Sequence, residues 1–176
     1  ANEIVLPDWL HDAERTLSCM DEATKSIQSS SYKGYVMAIP QGRTQNEWLS
    51  CAKRMLDYDV DTLGVSCRYT EMFGGSRVLA VMALWGIINQ SRSVNVQIHL
   101  LGCWGDPRID VAPLLDMDFV SGVDSSLPAI HAKYGMVLDG YHVRPKGMID
   151  IANDQYNHEL LKGNVDLWRH LCQTVV

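Results

Sequence analysis

The sequence predicts an α/β protein with a parallel sheet. Five short apolar runs alternate with five segments of helical periodicity, and the connections between them are short. Strict alternation of this kind is typical of parallel strands covered by helices. Because crossovers between parallel strands are right-handed, the pattern allows either an open doubly wound sheet or a section of a (β/α)8 barrel. At 176 residues, 47% of them hydrophobic, we expect one domain over residues 1–176.

The first elements carry clear local signals. The run 3–8 predicts a strand ended by Pro-Asp, and the helical segment 12–27 has acidic residues in its first turn, where the helix dipole favours them. The second strand, 34–39, is followed by Pro-Gln-Gly and then by Thr44, which with Glu47 has the spacing of a capping box. These signals predict two successive β-α units.

The remaining segments continue the alternation. In order, they predict a strand over 60–66, a helix over 77–89, a strand over 94–101, a helix over 106–115, a strand over 119–123 and a helix from 128. Asp106 and Pro107 open the fourth helix as a cap followed by proline at the first helical position. The tail over 154–171 has amphipathic helical spacing, and Gly163 is a potential break within it.

Several classes of site have no support in the sequence. The five cysteines stand singly with no C-x-x-C pair, and the six histidines form no H-x-x-x-H or H-E-x-x-H pattern. This spacing argues against a disulfide framework and predicts no metal site. No strand-linked G-x-G-x-x-G or G-x-x-x-x-G-K-S/T occurs, so a dinucleotide or P-loop site is not indicated.

We expect neither a membrane span nor an export signal. No uncharged apolar run is long enough to span a bilayer, and no charged start followed by an apolar stretch resembles a signal peptide. We therefore expect a cytoplasmic protein without a membrane partner.

A net charge of −6 is unfavourable for binding nucleic acid, because phosphate contacts supply much of that affinity. One local basic stretch is nevertheless a candidate contact: Lys133, Arg144 and Lys146 stand against only Asp139 between residues 131 and 146. The alternative is an ordinary solvated surface.

Polar residues end the predicted strands. They are Asp8, Gln41, Ser66 with Cys67, Cys103 and Asp124. Because the carboxyl ends of parallel strands share one edge of a sheet, these groups could form a pocket for a small polar ring. Asp124 has two open interpretations, since it could be a catalytic carboxylate or simply the N-cap of the helix that follows.

The strand ends, taken in order, resemble the tRNA-guanine transglycosylase superfamily. The resemblance is closest to its DNA-modifying branch, the 7-deazaguanine DNA transglycosylases of phages and bacterial genomic islands. It covers roughly residues 3–130 and lies in the segments 3–8 (EIVLPD), 38–42 (AIPQG), 62–66 (TLGVS), 99–102 (HLLG) and 122–128 (GVDSSLP). The family fold is a (β/α)8, or TIM, barrel, and the match falls on its last five strands, about five-eighths of the barrel.

The resemblance implies specific roles for the matched residues. Asp124 corresponds to the aspartate nucleophile, at the second carboxylate of the family's G-[VI]-D-x-F-D-x-x-x-P segment. Asp8 lies near the carboxylate that contacts the Watson–Crick edge of the base, and Gln41 with Gly42 matches the V-Q-G turn whose amide meets O6. The family uses backbone groups against the base in the segment that holds Gly64, Ser66 and Cys67.

The resemblance also implies partners. These are DNA or, less strongly, tRNA, and a 7-deazaguanine base such as 7-cyano-7-deazaguanine, with no cofactor. The family's first three strands, its acid/base residue and the zinc site of its tRNA enzymes are unmatched. We therefore expect the DNA branch and completion of the barrel by a second chain or a second copy, unless the chain is a shortened form. In phage, the location would be the host cytoplasm.

Two other interpretations remain open on the sequence alone. The chain could be a non-catalytic partial barrel that serves as a binding or structural subunit related to these enzymes. It could also be an unrelated α/β enzyme that shares short turn motifs.

Overall fold

A computed structural model describes residues 2–91, 95–139, 150 and 155–174. The chain divides into two compact units, Ala1–His99 and Leu100–Val176. The strands are β1 (Glu3–Val5), β2 (Tyr35–Ala38), β3 (Thr62–Ser66), β4 (Gln97–Leu101) and β5 (Val120–Val123). The division between the units falls within β4.

The five strands form one parallel sheet, as the alternation predicts. Their order is β1-β2-β3-β4-β5, the order of the sequence. The register pairs Val5 with Met37 and Met37 with Thr62. A doubly wound sheet requires a reversal of strand order at its centre. This sheet has no reversal, so the doubly wound alternative is wrong.

The helices of the first unit are α1 (Ala13–Gln28), α2 (Gln45–Met55) and α3 (Arg77–Gln90). Helix α1 packs against α2, and α2 packs against α3. Consecutive helices lie side by side because each right-handed crossover moves the chain one strand in the same direction. The predicted capping signal is present, since Thr44 Oγ1 accepts a hydrogen bond from the backbone N–H of Glu47 at 3.2 Å.

Between β3 and α3 the chain forms two short 3₁₀ turns, Cys67–Tyr69 and Glu71–Phe73. These turns are not predicted from the sequence, because three residues are too few to show a periodic pattern. Both turns end in a buried aromatic residue, Tyr69 and Phe73. Together with the fully buried Trp48 of α2, these rings form part of the core beneath the strand ends.

The helices of the second unit are α4 (Pro107–Asp110), α5 (Ala112–Leu115), α6 (Leu127–Lys133) and α7 (His158–Cys172). The single helix predicted over 106–115 is thus two short helices. Pro113 explains the interruption, because it lacks the N–H that would continue the helical bonding from α4.

Helix α7 is continuous through Gly163, so the potential break does not occur. Asn164, the residue after Gly163, is 1% exposed and fixes the helix in place. The side-chain oxygen of Asn164 accepts from the N–H of Leu138 at 2.8 Å, and its nitrogen donates to the carbonyls of Pro128 and Met136 at 3.2 and 3.0 Å. Tertiary bonds of this kind offset the low helix propensity of one glycine. In the described part of the chain, no helix is both long and apolar enough to cross a membrane.

Candidate functional site

Asp8 and Gln41 meet in the first unit. Asp8 follows β1, and Gln41 follows β2 in the Pro-Gln-Gly turn. The Gln41 amide nitrogen donates to Asp8 Oδ2 at 2.5 Å, and Gln41 is only 2% exposed. Two of the predicted site residues, 33 positions apart, are therefore in direct contact.

The other end of the Gln41 amide accepts two hydrogen bonds. Its oxygen receives the backbone N–H of His11 at 3.2 Å and the hydroxyl of Tyr69. A backbone N–H can only donate, so the amide oxygen must be at this end and the nitrogen must face Asp8. The orientation of the amide follows from its partners.

Tyr69 connects this cluster to the core. It is 1% exposed, and its hydroxyl accepts from the backbone N–H of His11 at 3.4 Å. Its ring centroid lies 6.0 Å from that of Trp48 and 5.7 Å from that of His11. Burial raises the pKa of Tyr69, so the hydroxyl stays protonated and remains a donor at neutral pH.

Gly42 lets the strand-end turn approach α2 closely. A Cβ atom at Gly42 would lie 2.5 Å from the backbone nitrogen of Trp48 and 2.9 Å from its Cα. Contacts this short with backbone atoms cannot be relieved by a side-chain rotation. Gly42 therefore contributes to the site because it has no side chain, which lets the turn pack closely against α2.

His11 has a left-handed backbone, with φ of 62°. Such a conformation is uncommon outside glycine, although histidine adopts it more often than most residues. Its N–H reaches both Gln41 and Tyr69, and its ring Nδ1 donates to the carbonyl of Gly42 at 3.4 Å. Local strain held in place by several bonds is frequent at functional sites.

The Asp8 carboxylate keeps one oxygen open. Within the described chain Oδ2 is held by Gln41, whereas Oδ1 has no partner. Asp8 as a residue is exposed, yet partial burial of its carboxyl raises its pKa, and the Gln41 hydrogen bond offsets part of this rise. Gln41 thus orients the Asp8 carboxylate, and Oδ1 remains available to accept a hydrogen bond.

A tryptophan–arginine pair follows Asp8 directly. The Arg15 guanidinium lies 3.3 Å from the centroid of the Trp9 ring, which is 41% exposed. Thr16 fixes Trp9 because its hydroxyl accepts from the Trp9 N–H at 2.9 Å and donates to the Trp9 carbonyl at 3.3 Å. The ring nitrogen of Trp9 donates to Cys19 Sγ at 3.1 Å.

The remaining predicted base-binding residues lie on or just after β3. Gly64 is buried inside the strand, whereas Ser66 and Cys67 are half-buried at its end. The Ser66 hydroxyl accepts from the N–H of Arg68 at 3.3 Å, and the Cys67 carbonyl accepts from the Thr70 hydroxyl at 2.8 Å. Ser66 and Cys67 therefore shape the turn that carries Tyr69.

Asp124, in the second unit, does not cap a helix. Its Oδ1 accepts from the N–H of Gly102 at 2.5 Å, and its own N–H donates to the carbonyl of Leu100 at 3.1 Å. Ser126 occupies the N-cap position of α6, and Ser125 Oγ accepts from the N–H of Leu127. The capping interpretation of Asp124 is wrong.

The geometry around Asp124 resembles that around Asp8. Gly102 adopts a left-handed φ of 67°, which turns its N–H toward the carboxylate at the end of β4. Asp124 is exposed, and among the described residues its Oδ2 has no hydrogen-bond partner. Each carboxylate is held through one oxygen and open through the other.

The predicted basic stretch is only partly described. Lys133 is half-buried at the end of α6. Arg144 and Lys146 lie outside the described residues. Among the residues that are described, no group of three His, Cys, Asp or Glu side chains could hold a metal ion.

Three residues of these clusters were not singled out by the sequence analysis as site residues. Tyr69 and His11 belong to no strand-end motif, and Gly102 appears only as part of one. Their roles depend on contacts between segments far apart in the chain, which local spacing cannot reveal. The Gly-Cys-Trp-Gly turn after the fourth strand is the one local signal, since glycine there indicates an unusual backbone.

Comparisons with known proteins give no further assignment. No protein-family model matches the sequence, and no curated protein or solved structure matches it either.

Proposed function

We propose that this chain is a component of a guanine transglycosylase that exchanges guanine in DNA for a 7-deazaguanine such as 7-cyano-7-deazaguanine. Transfer-RNA is the less favoured nucleic acid. The reaction passes through a covalent ester between Asp124 and the sugar. Asp8 and Gln41 contact the base.

The observation that supports this proposal best is the state of Asp124. A helix cap would have its carboxylate directed at the helix N–H groups, whereas Asp124 is oriented by Gly102 and has Oδ2 open. An exposed carboxylate that is fixed through one oxygen suits a nucleophile, because it is oriented without being neutralised.

The chemistry needs no redox partner. The open oxygen of Asp124 attacks C1′ as the bond from C1′ to N9 of guanine breaks, and the electron pair leaves with guanine, which takes up a proton. The sugar is then held as an ester. The incoming 7-deazaguanine loses its N9 proton and attacks C1′, and the carboxylate leaves. The target nucleotide must leave the base stack to react.

Base recognition falls to the Asp8–Gln41 pair. The open Oδ1 of Asp8 can accept from the N1–H and exocyclic amine of a guanine-type ring. The Gln41 nitrogen has a second hydrogen beyond the one donated to Asp8, and it suits O6. This arrangement favours a ring that offers two donors next to one acceptor.

Because the chain is acidic overall, binding of a nucleic acid would depend on local cationic side chains. Lys133, Arg144 and Lys146 remain candidates, and Arg15 adds a cation stacked on the exposed ring of Trp9. An arginine held over an aromatic ring is well suited to bind a phosphate or a base.

We also propose that the barrel is completed by a second copy or a second chain. The sheet follows the strand order of a barrel, and β1 is an edge strand. Val5 on β1 and Tyr35 at the start of β2 are 55% and 62% exposed. Exposed apolar side chains next to an open strand edge favour association.

The association is tested by measuring the mass of the purified chain in solution. The proposal predicts a complex heavier than one chain, dissociated by Val5→Arg and unaffected by Leu79→Arg, which changes an exposed apolar residue of α3. A stable lone monomer would count against completion by a second copy. A heterologous protein bound in the native preparation would indicate the second chain.

The exchange activity is tested by incorporation of a radiolabelled 7-deazaguanine into guanine-containing DNA, with tRNA in parallel. Asp124→Asn should abolish incorporation. Asp12→Asn is the matched control, because Asp12 caps α1 and asparagine caps equally well. Activity that survives Asp124→Asn would favour a non-catalytic role for this carboxylate.

A further inference from the structure

We infer that Tyr69 is a positioning residue that fixes the direction of the Gln41 amide and so selects guanine-type bases. The inference rests on the proposed function, since it concerns how the Asp8–Gln41 pair discriminates among bases. Tyr69 acts through Gln41, from inside the core.

The hydrogen-bond capacity of the Tyr69 hydroxyl determines its direction. A phenol has one hydrogen to donate and can accept two bonds. The backbone N–H of His11 occupies one accepting site, and this N–H can only donate. The single hydrogen is therefore directed to the Gln41 oxygen, which lies within hydrogen-bond distance.

The amide consequently cannot turn over at low cost. Its oxygen has two donors, Tyr69 and His11, and its nitrogen faces the Asp8 carboxylate at 2.5 Å. A reversed amide would place its NH2 group against two donors and its oxygen against a carboxylate. All three partners would be mismatched at once, and in a buried site each mismatch is costly.

The direction of the amide decides which base fits. With the nitrogen toward Asp8, the pair offers a ligand one N–H donor and one carboxylate acceptor. Guanine-type rings present O6 to the donor and N1–H with the amine to the acceptor. A 2,6-diaminopurine presents an amine where guanine has O6, so an oxygen from Gln41 improves its fit at that position, although its unprotonated N1 still meets the Asp8 carboxylate.

Tyr69→Phe isolates this effect. The ring remains to pack against Trp48 and His11, and only the hydroxyl is lost. Gln41 then keeps a single donor at its oxygen, so the reversed amide becomes accessible. Loss of one buried hydrogen bond corresponds to about a tenfold change in relative affinity.

The experiment is calorimetric titration of the full chain with two free bases, 7-deazaguanine and 2,6-diamino-7-deazapurine. The wild type should prefer 7-deazaguanine, and Tyr69→Phe should reduce that preference by about tenfold. Tyr58→Phe is the matched control, because it removes a hydroxyl that bonds the exposed side chain of Asp21 elsewhere in the same unit. It should leave the preference unchanged.

The outcomes separate the two claims. If the wild type binds 7-deazaguanine and Tyr69→Phe retains the full preference, Tyr69 does not position the base-contacting pair and the proposed function stands. If the wild type binds neither base, the proposed function fails, and this inference fails with it.

A second measurement covers the case in which Tyr69→Phe does not fold. In the wild type, the side-chain amide protons of Gln41 should exchange with solvent far more slowly than those of the exposed Gln28 and Gln45. Equal exchange rates for the three glutamines would overturn the inference.

Discussion

At the scale of single residues, Asp8 shows how the site affects stability. Its pKa is raised above the ordinary value of 3.8 by burial of the carboxyl. The folded state therefore binds the proton more tightly than the unfolded state, and this contribution to stability is present at low pH and is lost as pH rises through the folded pKa.

Asp8→Asn should accordingly raise the free energy of unfolding near neutral pH, because the partly buried charge is removed while an oxygen remains for Gln41. The gain should disappear at about pH 3, where both states of the wild type are protonated. Urea unfolding at the two pH values measures it. A gain of equal size at both would mean that the charge of Asp8 is not its source.

Gly42 gives a second prediction at this scale. Gly42→Ala should lower the free energy of unfolding by about 1–3 kcal/mol, since the added methyl group meets the backbone of α2. Gly86→Ala is the control. In α3 a Cβ at Gly86 meets nothing within 4 Å, and alanine should stabilise the helix by up to about 1 kcal/mol. The same sign for both variants in denaturant unfolding would contradict the packing argument.

At the scale of elements, helix α7 depends on one buried amide. Asn164→Ala should cost about 3 kcal/mol, because it leaves the N–H of Leu138 and the carbonyls of Pro128 and Met136 without partners. The neighbouring Gly163→Ala should instead stabilise α7, as no atom lies within 4 Å of the new methyl group. Thermal unfolding of the two variants measures both effects. An Asn164→Ala variant as stable as the wild type would contradict this role of Asn164.

Elements with strong periodicity or caps could be predicted from the sequence. Helix α1 begins after Asp12, and α2 begins after Thr44, as their capping patterns indicate. The turn that carries Tyr69 could not be predicted, since neither its residue types nor its length favours a regular element. The bond from Gly102 to Asp124 was equally inaccessible, because it depends on the pairing of strands 22 residues apart.

At the scale of the whole molecule, the parallel sheet follows from the β-α alternation, and its winding follows from the unreversed strand order. Alternation alone left two windings open, because both use right-handed crossovers. The sequence also predicts that Asp8 and Gln41 end strands whose carboxyl ends share one edge of the sheet. It could not predict the orientation of their side chains, which Tyr69 and His11 determine from separate segments.

The central claim is that Asp124 forms a covalent bond with the sugar of a nucleic acid. The most direct test incubates the wild type with guanine-containing DNA in the absence of an incoming base, denatures the mixture and measures the intact mass of the protein. We expect an adduct of protein and DNA that maps to the peptide containing Asp124 and is lost in Asp124→Asn but kept in Asp12→Asn. An adduct that persists in Asp124→Asn, or maps to another residue, would contradict it.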